Sequence, residues 1–312
     1  MHGAQFKILK GIRKMEQYVV LFNPYAGNGN GEAEAKHLST LFPDAALRFV
    51  RMTDIDDYKN VFSSLADGEK IILCGGDGTL NRFINDTESL ILPSDILYYG
   101  VGSGNDFLHD LGKKKGAAPF CIDDYIKDLP IVTVKGKNYR FLNGIGYGID
   151  GYCCEEGDRL RAVTEKPINY TKIAIKGLLG KYHPTGARVT VDGVTKEYKK
   201  VWLAPCMNGQ FYGGGMMPTP GQNRLSTDHS LSVLVMYGTG KLRSLMIFPS
   251  IFKGEHIKYT RFVEVRSGHA VEVEFDRPVA LQIDGETILG VSGYRATPSK
   301  SVLSEEKRAV VS

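Results

Sequence analysis

Short apolar runs that break off at clusters of glycine, asparagine and proline set the rhythm of the first third of the chain. Residues 18–22, 46–52, 70–73 and 96–99 read as buried strands. Stretches of helical period at 32–38, at 58–65 and from Leu80 onward alternate with them. Strand and helix in alternation predict a parallel sheet of α/β type. Near residue 130 the texture changes. Residues 131–135 and 139–142 flank a turn at Gly136, and short alternating strands follow at 187–192, 199–205, 231–237, 262–266, 270–275 and 279–284. That pattern predicts an antiparallel second domain, a sandwich or a barrel. A helical insertion is expected within 159–180. There Tyr170, Ile173, Ala174, Ile175, Leu178 and Leu179 mix with Lys166, Lys172, Lys176 and Lys181, which suits either a lipid-facing helix or a core helix with snorkelling lysines. The expected fold class is α/β plus β, divided into residues 17–130 and 131–290, with a strand near 292–296 and the tail to 312 returning to the first domain.

Composition narrows the function classes. A chain of 312 residues has room for about two domains. At 42% hydrophobic and 24% charged it is an ordinary globular sequence. A formal net charge of +4 is too weak to argue for nucleic acid, but it fits an anionic membrane surface where the charge clusters. Cys74, Cys121, Cys153, Cys154 and Cys206 are odd in number and irregularly spaced, without a C-x-x-C pair, which argues for a reducing, cytoplasmic setting and against a zinc site. No run approaches the ~20 apolar residues of a spanning helix, and no signal-peptide pattern occurs, so a lipid-directed activity would be peripheral to the membrane. Residues 1–16 interleave Phe6, Ile8, Leu9 and Ile12 with Lys7, Lys10, Arg13 and Lys14, as either an interfacial amphipathic piece or a solvated leader. Residues 300–312 read as a disordered tail.

The chemistry lies where the strands stop. The run 71–74 ends in Gly75-Gly76-Asp77-Gly78-Thr79-Leu80-Asn81, a strand delivering glycines, one carboxylate and a hydroxyl to the start of a helix. Glycines leave no Cβ between backbone N–H groups and an approaching phosphate, and a helix N-terminus favours anions. Ligands bind at this edge of open α/β sheets. The first strand ends likewise in Asn23-Pro24-Tyr25-Ala26-Gly27, and the fourth in Gly102-Ser103-Gly104-Asn105-Asp106-Phe107. Three such loops on one edge can converge on one triphosphate. The basic loop Lys113-Lys114-Lys115 fits either a phosphate-facing or a solvated position.

These strings resemble the nucleotide-binding signature of the diacylglycerol kinase catalytic family. Asn-Pro-x-x-Gly about fifty residues before Gly-Gly-Asp-Gly-Thr separates that family from NAD kinases, and the third loop is similar to its Gly-Thr-Gly-Asn-Asp-Phe, with Ser103 keeping the hydroxyl. Residues 143–150, Asn-Gly-Ile-Gly-Tyr-Gly-Ile-Asp, resemble its Asn-x-x-x-x-Gly-x-Asp segment, which a glycine-rich turn explains nearly as well. The resemblance spans roughly residues 18–295. It implies a three-layer α/β nucleotide-binding domain, a β-sandwich-like acceptor domain, and transfer of the γ-phosphate of ATP to a lipid hydroxyl, diacylglycerol first. A sphingoid or other small-molecule kinase of the superfamily, or a non-catalytic nucleotide- or lipid-binding regulator, are the alternatives; the presence of Asp77, Asp284 and Glu286 together argues against the regulator. Homodimerisation enters through the resemblance alone.

The resemblance also implies roles. Asn23, Pro24, Gly27, Thr53, Gly75, Gly76, Asp77, Gly78, Thr79, Asn81, Ser103, Gly104, Asn105 and Asp106 are expected around the nucleotide, with Mg²⁺ between Asp77 and the phosphates. In Asp284-Gly285-Glu286, Glu286 is the first choice for the catalytic base, with Asp284 the alternative or a Mg²⁺ partner. By itself that tripeptide is a common hairpin turn. A structural Mg²⁺ is implied at Asp228 with the carbonyls of Leu225 and Ser230, where His229 stands in place of the family's glycine.

Overall fold

The structure is a computed structural model and describes residues 15–164 and 168–299. The first domain runs β1 (Gln17–Phe22), a single turn α1 (Ala26–Gly29), α2 (Gly31–Leu41), β2 (Ala46–Arg51), α3 (Tyr58–Ser63), β3 (Lys70–Gly75), α4 (Asp77–Asp86), β4 (Leu97–Gly100), α5 (Asp106–Asp110), β5 (Phe120–Cys121) and α6 (Asp123–Ile126). The sheet order is β2-β1-β3-β4-β5. Both faces of its strands are apolar, as a sheet covered on both sides requires. Val19, Leu21, Ile71 and Leu73 pack with Leu80, Phe83 and Ile84 of α4. Tyr18, Val20, Phe22, Ile72 and Cys74 pack on the other face with Ala35 and Leu38 of α2. The domain is therefore three-layered. Strands β1 to β4 are parallel, with Phe22 opposite both Arg51 and Cys74 and Gly75 opposite Gly100, so their ends share one edge. Contrary to the wholly parallel expectation, β5 is antiparallel to β4. The chain after Val101 stays at the edge it reached, with the Gly116 N–H donating to the Gly100 carbonyl at 3.0 Å. It therefore re-enters the sheet from that same edge.

The second domain holds β6 (Ile131–Val134), β7 (Lys137–Arg140), β8 (Gly144–Tyr147), α7 (Ile149–Arg161), α8 (Tyr170–Lys176) continuing into a π-turn at Gly177–Lys181, β9 (Thr185–Val191), β10 (Val194–Val201), β11 (Cys206–Met207), β12 (Leu231–Met236), α9 (Lys241–Ile251), β13 (Val263–Gly268), β14 (Val271–Ile283) and β15 (Glu286–Thr297). They form one antiparallel sheet in the order β13-β12-β11-β8-β14-β15-β6-β7, with β9 joining β14 to β10. The sheet curls on itself. The Arg266 guanidinium on β13 donates to the carbonyls of Val189 (2.9 Å) and Val194 (2.6 Å) on β9 and β10. Its core is apolar, with Tyr147 stacked on Phe275 at 3.9 Å between ring centroids.

Three expectations change here. The strand expected at 199–205 is β10, displaced toward the N-terminus. The two strands expected at 270–275 and 279–284 are one, β14, whose register breaks between Glu274 and Val279; Pro278 falls in that break, where its missing N–H costs no ladder bond. Residues 292–296 do not return to the first domain. They belong to β15, which pairs with β14 and with β6 through Arg295 opposite Thr133. The Asp284-Gly285 turn, with φ of 48° and 98°, is a tight hairpin that sends β15 straight back along β14. The sequence readings of residues 1–14, Lys166 and 300–312 lie outside the described residues. All five cysteines are unpaired, and among the described residues no helix is long and apolar enough to cross a membrane.

Polar ties join the domains. Asn85 on α4 donates to the Arg140 carbonyl (3.0 Å) and accepts from its N–H (2.9 Å). Asp110 pairs with Arg224, and both side chains are about 95% buried. Arg224 also donates to the Leu142 carbonyl (3.2 Å) and to Asn143 Oδ1 (3.0 Å), and lies 4.9 Å from the Phe107 ring centroid. Losing one partner of a buried pair strands the other charge, which typically costs about 3–5 kcal/mol. Arg224→Met is therefore expected to lower the free energy of unfolding in urea by about 3 kcal/mol, with part of the loss recovered in the Arg224→Met/Asp110→Asn double variant. A loss below about 1 kcal/mol, the ceiling for exposed pairs, would remove this tie from the account of the junction.

Candidate active site

The three loops converge at the shared strand edge. Asn23 joins the first two: its Nδ2 donates to Thr79 Oγ1 at 3.2 Å, while its Oδ1 accepts from the Tyr25 N–H at 3.0 Å. The second and third loops meet backbone to backbone. A Cβ on Gly76 would stand 2.8 Å from the Gly102 Cα, so only glycine permits the approach. Gly27, at φ 59°, is fitted against the Val101 carbonyl, which a Cβ there would meet at 2.8 Å. Asp77 opens α4, so the exposed Gly78 and the buried Thr79 and Asn81 lie in its first turns. The unsatisfied N–H groups of such a turn attract anions. Lys115 pairs with Glu34 of α2 at 3.3 Å, beside Gly27, which brings one lysine of the basic loop to the first of the three loops.

The carboxylates sort by environment. Asp77 accepts the N–H groups of Asp106 (2.9 Å) and Phe107 (3.1 Å) and so holds the start of α5. Asp106 in turn accepts the N–H groups of Gly214 (2.9 Å) and Gly215 (2.7 Å) from the second domain. Burial, and then the neighbouring Asp77 charge, push its carboxyl up to about 7, against the two N–H bonds. Asn105, at φ 53°, donates to the Gly102 carbonyl at 2.7 Å, and its buried Oδ1 has no partner among the described residues. Asp284 accepts the N–H groups of Leu142, Asn143 and Gly144, and Asn81 Nδ2 at 2.8 Å. Burial pushes its carboxyl up while these donors oppose the shift. These four donors pin the chain before β8 and α4 to the turn. Glu286, two residues on, is exposed and has no hydrogen-bond partner among the described residues. It lies beside α7, where the Cys154 thiol feels its charge.

Other expected positions are more peripheral. Thr53 lies in the 3₁₀ turn Met52–Asp54 that follows β2, exposed, donating to Asp54 at 2.9 Å. Ser103 is exposed, 3.5 Å from Asn28 Oδ1, and Pro24 and Gly104 line their loops. Leu225, Asp228 and Ser230 share one exposed loop away from these carboxylates. Asp228 accepts the Ser230 N–H at 3.3 Å, the Ser230 carbonyl accepts Gln222 Nε2 at 2.8 Å, and His229 adopts φ 50°, the conformation that favours glycine. Sequence reasoning missed the buried Asp150–Tyr212 pair, and it did not foresee that the Gly213-Gly214-Gly215 loop would hold Asp106. The run of three glycines was the available signal.

Glycine-rich loops thus meet at one strand edge, and the Gly213–Gly215 loop and the Asp284 turn of the second domain join them there. Residues 17–131 match the diacylglycerol kinase catalytic domain, and residues 143–300 the YegS C-terminal NAD kinase beta sandwich-like domain. The chain belongs to this family of lipid kinases, with ATP as co-substrate and an alcohol as acceptor. It is 24% identical to a diacylglycerol kinase of Mycobacterium tuberculosis (strain ATCC 25618 / H37Rv), over 85% of this chain and 87% of that one. It is 22% identical to YtlR of Bacillus subtilis (strain 168), over 93% and 99%. The fold is that of a diacylglycerol kinase crystal structure from Bacillus anthracis (strain Sterne), with a TM-score of 0.57 at 21% identity, covering 93% of this chain and 96% of that one.

The buried acids make stability depend on pH. Burial pushes Asp150 up to about 7, as it does Asp106. An unfolded Asp titrates near pH ~3.9. Between about pH 4 and 7 the folded chain therefore binds more protons than the unfolded one, and stability falls as pH rises. The Tm of the nucleotide-free protein is expected to drop across that window, and Asp150→Asn to remove about half of the slope. A slope unchanged by Asp150→Asn would mean that this carboxyl is ionised throughout.

Proposed function

We propose that the protein transfers the γ-phosphate of ATP to diacylglycerol, giving phosphatidic acid, with Glu286 as general base. The observation that carries the reading is the contrast within one hairpin: Asp284 is saturated by donors from three backbone N–H groups and Asn81, while Glu286 stands exposed and unpartnered beside α7. Phosphoryl transfer asks the protein for positioning and charge neutralisation more than covalent chemistry. In this reading the N–H groups of the Gly75–Thr79 and Asn23–Gly27 loops hold phosphates, the Thr79 and Ser103 hydroxyls donate to them, and Glu286 takes the proton of the lipid hydroxyl.

Asp77 and Asp106 would hold Mg²⁺. They offer the hard oxygens this ion prefers, and a carboxyl held up to about 7 beside a second carboxylate is a site that a cation would relieve. When bound, Mg²⁺ supplies neutralisation of the phosphate charge. Asp228 with the Leu225 and Ser230 carbonyls forms a second all-oxygen set and is assigned the structural Mg²⁺; the Ser230 carbonyl has a second lone pair beyond its bond to Gln222.

The enzyme would meet its lipid at the membrane surface through α8, the π-turn and α9. Ile173, Ala174 and Leu178 face the core, whereas Ile175 (42% exposed), Leu179 (53%), Leu242 (76%) and Met246 (66%) face outward. Exposed Lys172, Lys176, Lys181 and Lys241 rim them. Lys241 ties the two pieces by donating to the Leu179 carbonyl at 3.2 Å.

The test is transfer of labelled γ-phosphate to micellar diacylglycerol, monoacylglycerol, sphingosine and ceramide, with NAD as a soluble control. Label on diacylglycerol is expected; label confined to another acceptor would rename the substrate. Glu286→Gln should lower kcat by about 10²- to 10⁴-fold, the usual worth of general-base catalysis, with the KM for ATP nearly unchanged, and an unaltered kcat would move the base elsewhere. Mg²⁺ should raise the Tm of the nucleotide-free protein, and Asp228→Ala should remove part of that rise. An identical rise in Asp228→Ala would leave the loop without a metal.

A further inference from the structure

The two N–H groups that hold Asp106 come from an unusual loop. Gly213, Gly214 and Gly215 all have positive φ (62°, 81° and 101°), and the loop is closed by reciprocal 3.0 Å bonds between Tyr212 and Met216. Successive N–H groups exposed in this way form an anion-holding nest, and here the anion is the Asp106 carboxylate. The loop also borders the third phosphate loop: a Cβ on Gly104 would lie 3.8 Å from the Gly214 Cα. Nothing within the loop stiffens it, because three glycines carry no side chains and pay the highest entropic cost of ordering. Its geometry must be imposed from its ends.

At one end, Tyr212 is anchored by its buried hydroxyl on Asp150. At the other, the Met217 N–H donates to the Ile251 carbonyl at 3.1 Å. The next residue, Pro218, has no N–H of its own, and its carbonyl receives His256 Nε2 at 2.8 Å. His256 is fully buried, with 0% of its surface exposed. A carbonyl can only accept, so Nε2 carries the proton. Gly254, at φ 66°, lets the chain turn against Pro220 just before His256; a Cβ there would stand 2.9 Å from the Pro220 side chain. The imidazole is thus fixed by its surroundings, and the carbonyl it bonds belongs to a residue three positions after Gly215.

We propose that His256 is a positioning residue for phosphoryl transfer: by holding the Pro218 carbonyl it keeps the Gly213–Gly215 loop on Asp106 at the junction of the two domains. Nothing in the sequence around His256 resembles a phosphate or catalytic motif, and the residue touches neither Asp77 nor the phosphate loops through any bond in the structure. Its influence runs through the loop. The inference rests on the reading that the Asp77–Asp106 junction is the site of transfer.

The experiment compares His256→Leu, which keeps bulk but no donor, with His256→Gln, which keeps an N–H donor, in the full-length protein. Two readouts are used: ATP-dependent phosphorylation of micellar diacylglycerol, and amide hydrogen exchange of residues 212–218. His256→Leu is expected to lose kcat by on the order of 10- to 100-fold, the scale of a small misplacement in a reacting site. The KM for ATP should stay within about twofold of wild type and exchange in 212–218 should quicken; His256→Gln should recover most of both. Gly215→Ala supplies a second perturbation of the same loop, since its methyl meets no atom within 4 Å and acts only through the positive φ. If both substitutions act through one loop, their effects on kcat should be far from additive in the double variant. The proposal is overturned if His256→Leu keeps wild-type kcat and exchange. It is equally overturned if Leu and Gln lose activity alike in step with a loss of Tm, or if the double variant is simply additive. Should the wild type phosphorylate no acceptor, the functional reading fails by itself, and the exchange data still decide whether His256 holds the loop.

Discussion

The structure turns on a carboxylate shared between domains. Asp106 sits on the first domain, nine-tenths buried, and is held by N–H groups of the second. A buried charge costs heavily unless it is hydrogen-bonded, and here the donors come from across the junction. The same logic governs Asp284, which belongs to the second domain and reaches Asn81 on α4 of the first. Each domain thus places an acid where the other supplies a donor. The relative position of the glycine-rich loops and the second domain follows from hydrogen-bond directions as well as from apolar packing.

This arrangement separates two kinds of acid that the sequence presents alike. Asp77, Asp106 and Asp284 accept N–H groups of helix starts, loops and strand ends, and burial raises the proton affinity of Asp106 and Asp284. The Glu286 backbone pairs with Ile283, but its side chain is exposed and makes no hydrogen bond among the described residues. A carboxylate engaged by three or four donors has its lone pairs occupied, whereas an exposed one is open to new partners. The hairpin that makes β15 retrace β14 produces this division, setting Asp284 inward at φ 48° and Glu286 outward.

The helical segment after β8 shows a similar division of labour. Its inward residues complete the core beneath α9, and its outward ones leave an apolar stripe among lysines. Of the two readings of 159–180 that sequence alone left open, the core helix is met by Ile173, Ala174 and Leu178, while Ile175 and Leu179 stand exposed on the other side. The buried end of α9 then continues to Ile251 and on to His256. The face turned to solvent and the loop turned to Asp106 are therefore parts of one packed unit.

What the sequence determined by itself was local. Strands that stop at glycine-rich loops and their alternation with helices are written in neighbouring residues, because turn chemistry and hydrophobic period act over a few positions. The identity of the family was legible for the same reason, since its motifs are contiguous strings. The tertiary structure decided whatever depends on residues far apart in the chain. Asp106 and Gly214 are 108 positions apart, Asn81 and Asp284 203, and Asp110 and Arg224 114. It also decided that β15 stays in the second sheet, because strand partners are chosen by packing and register and not by propensity. Whether a given Asp is a tether or a free base is likewise a matter of which donors surround it in space, and no local pattern encodes that.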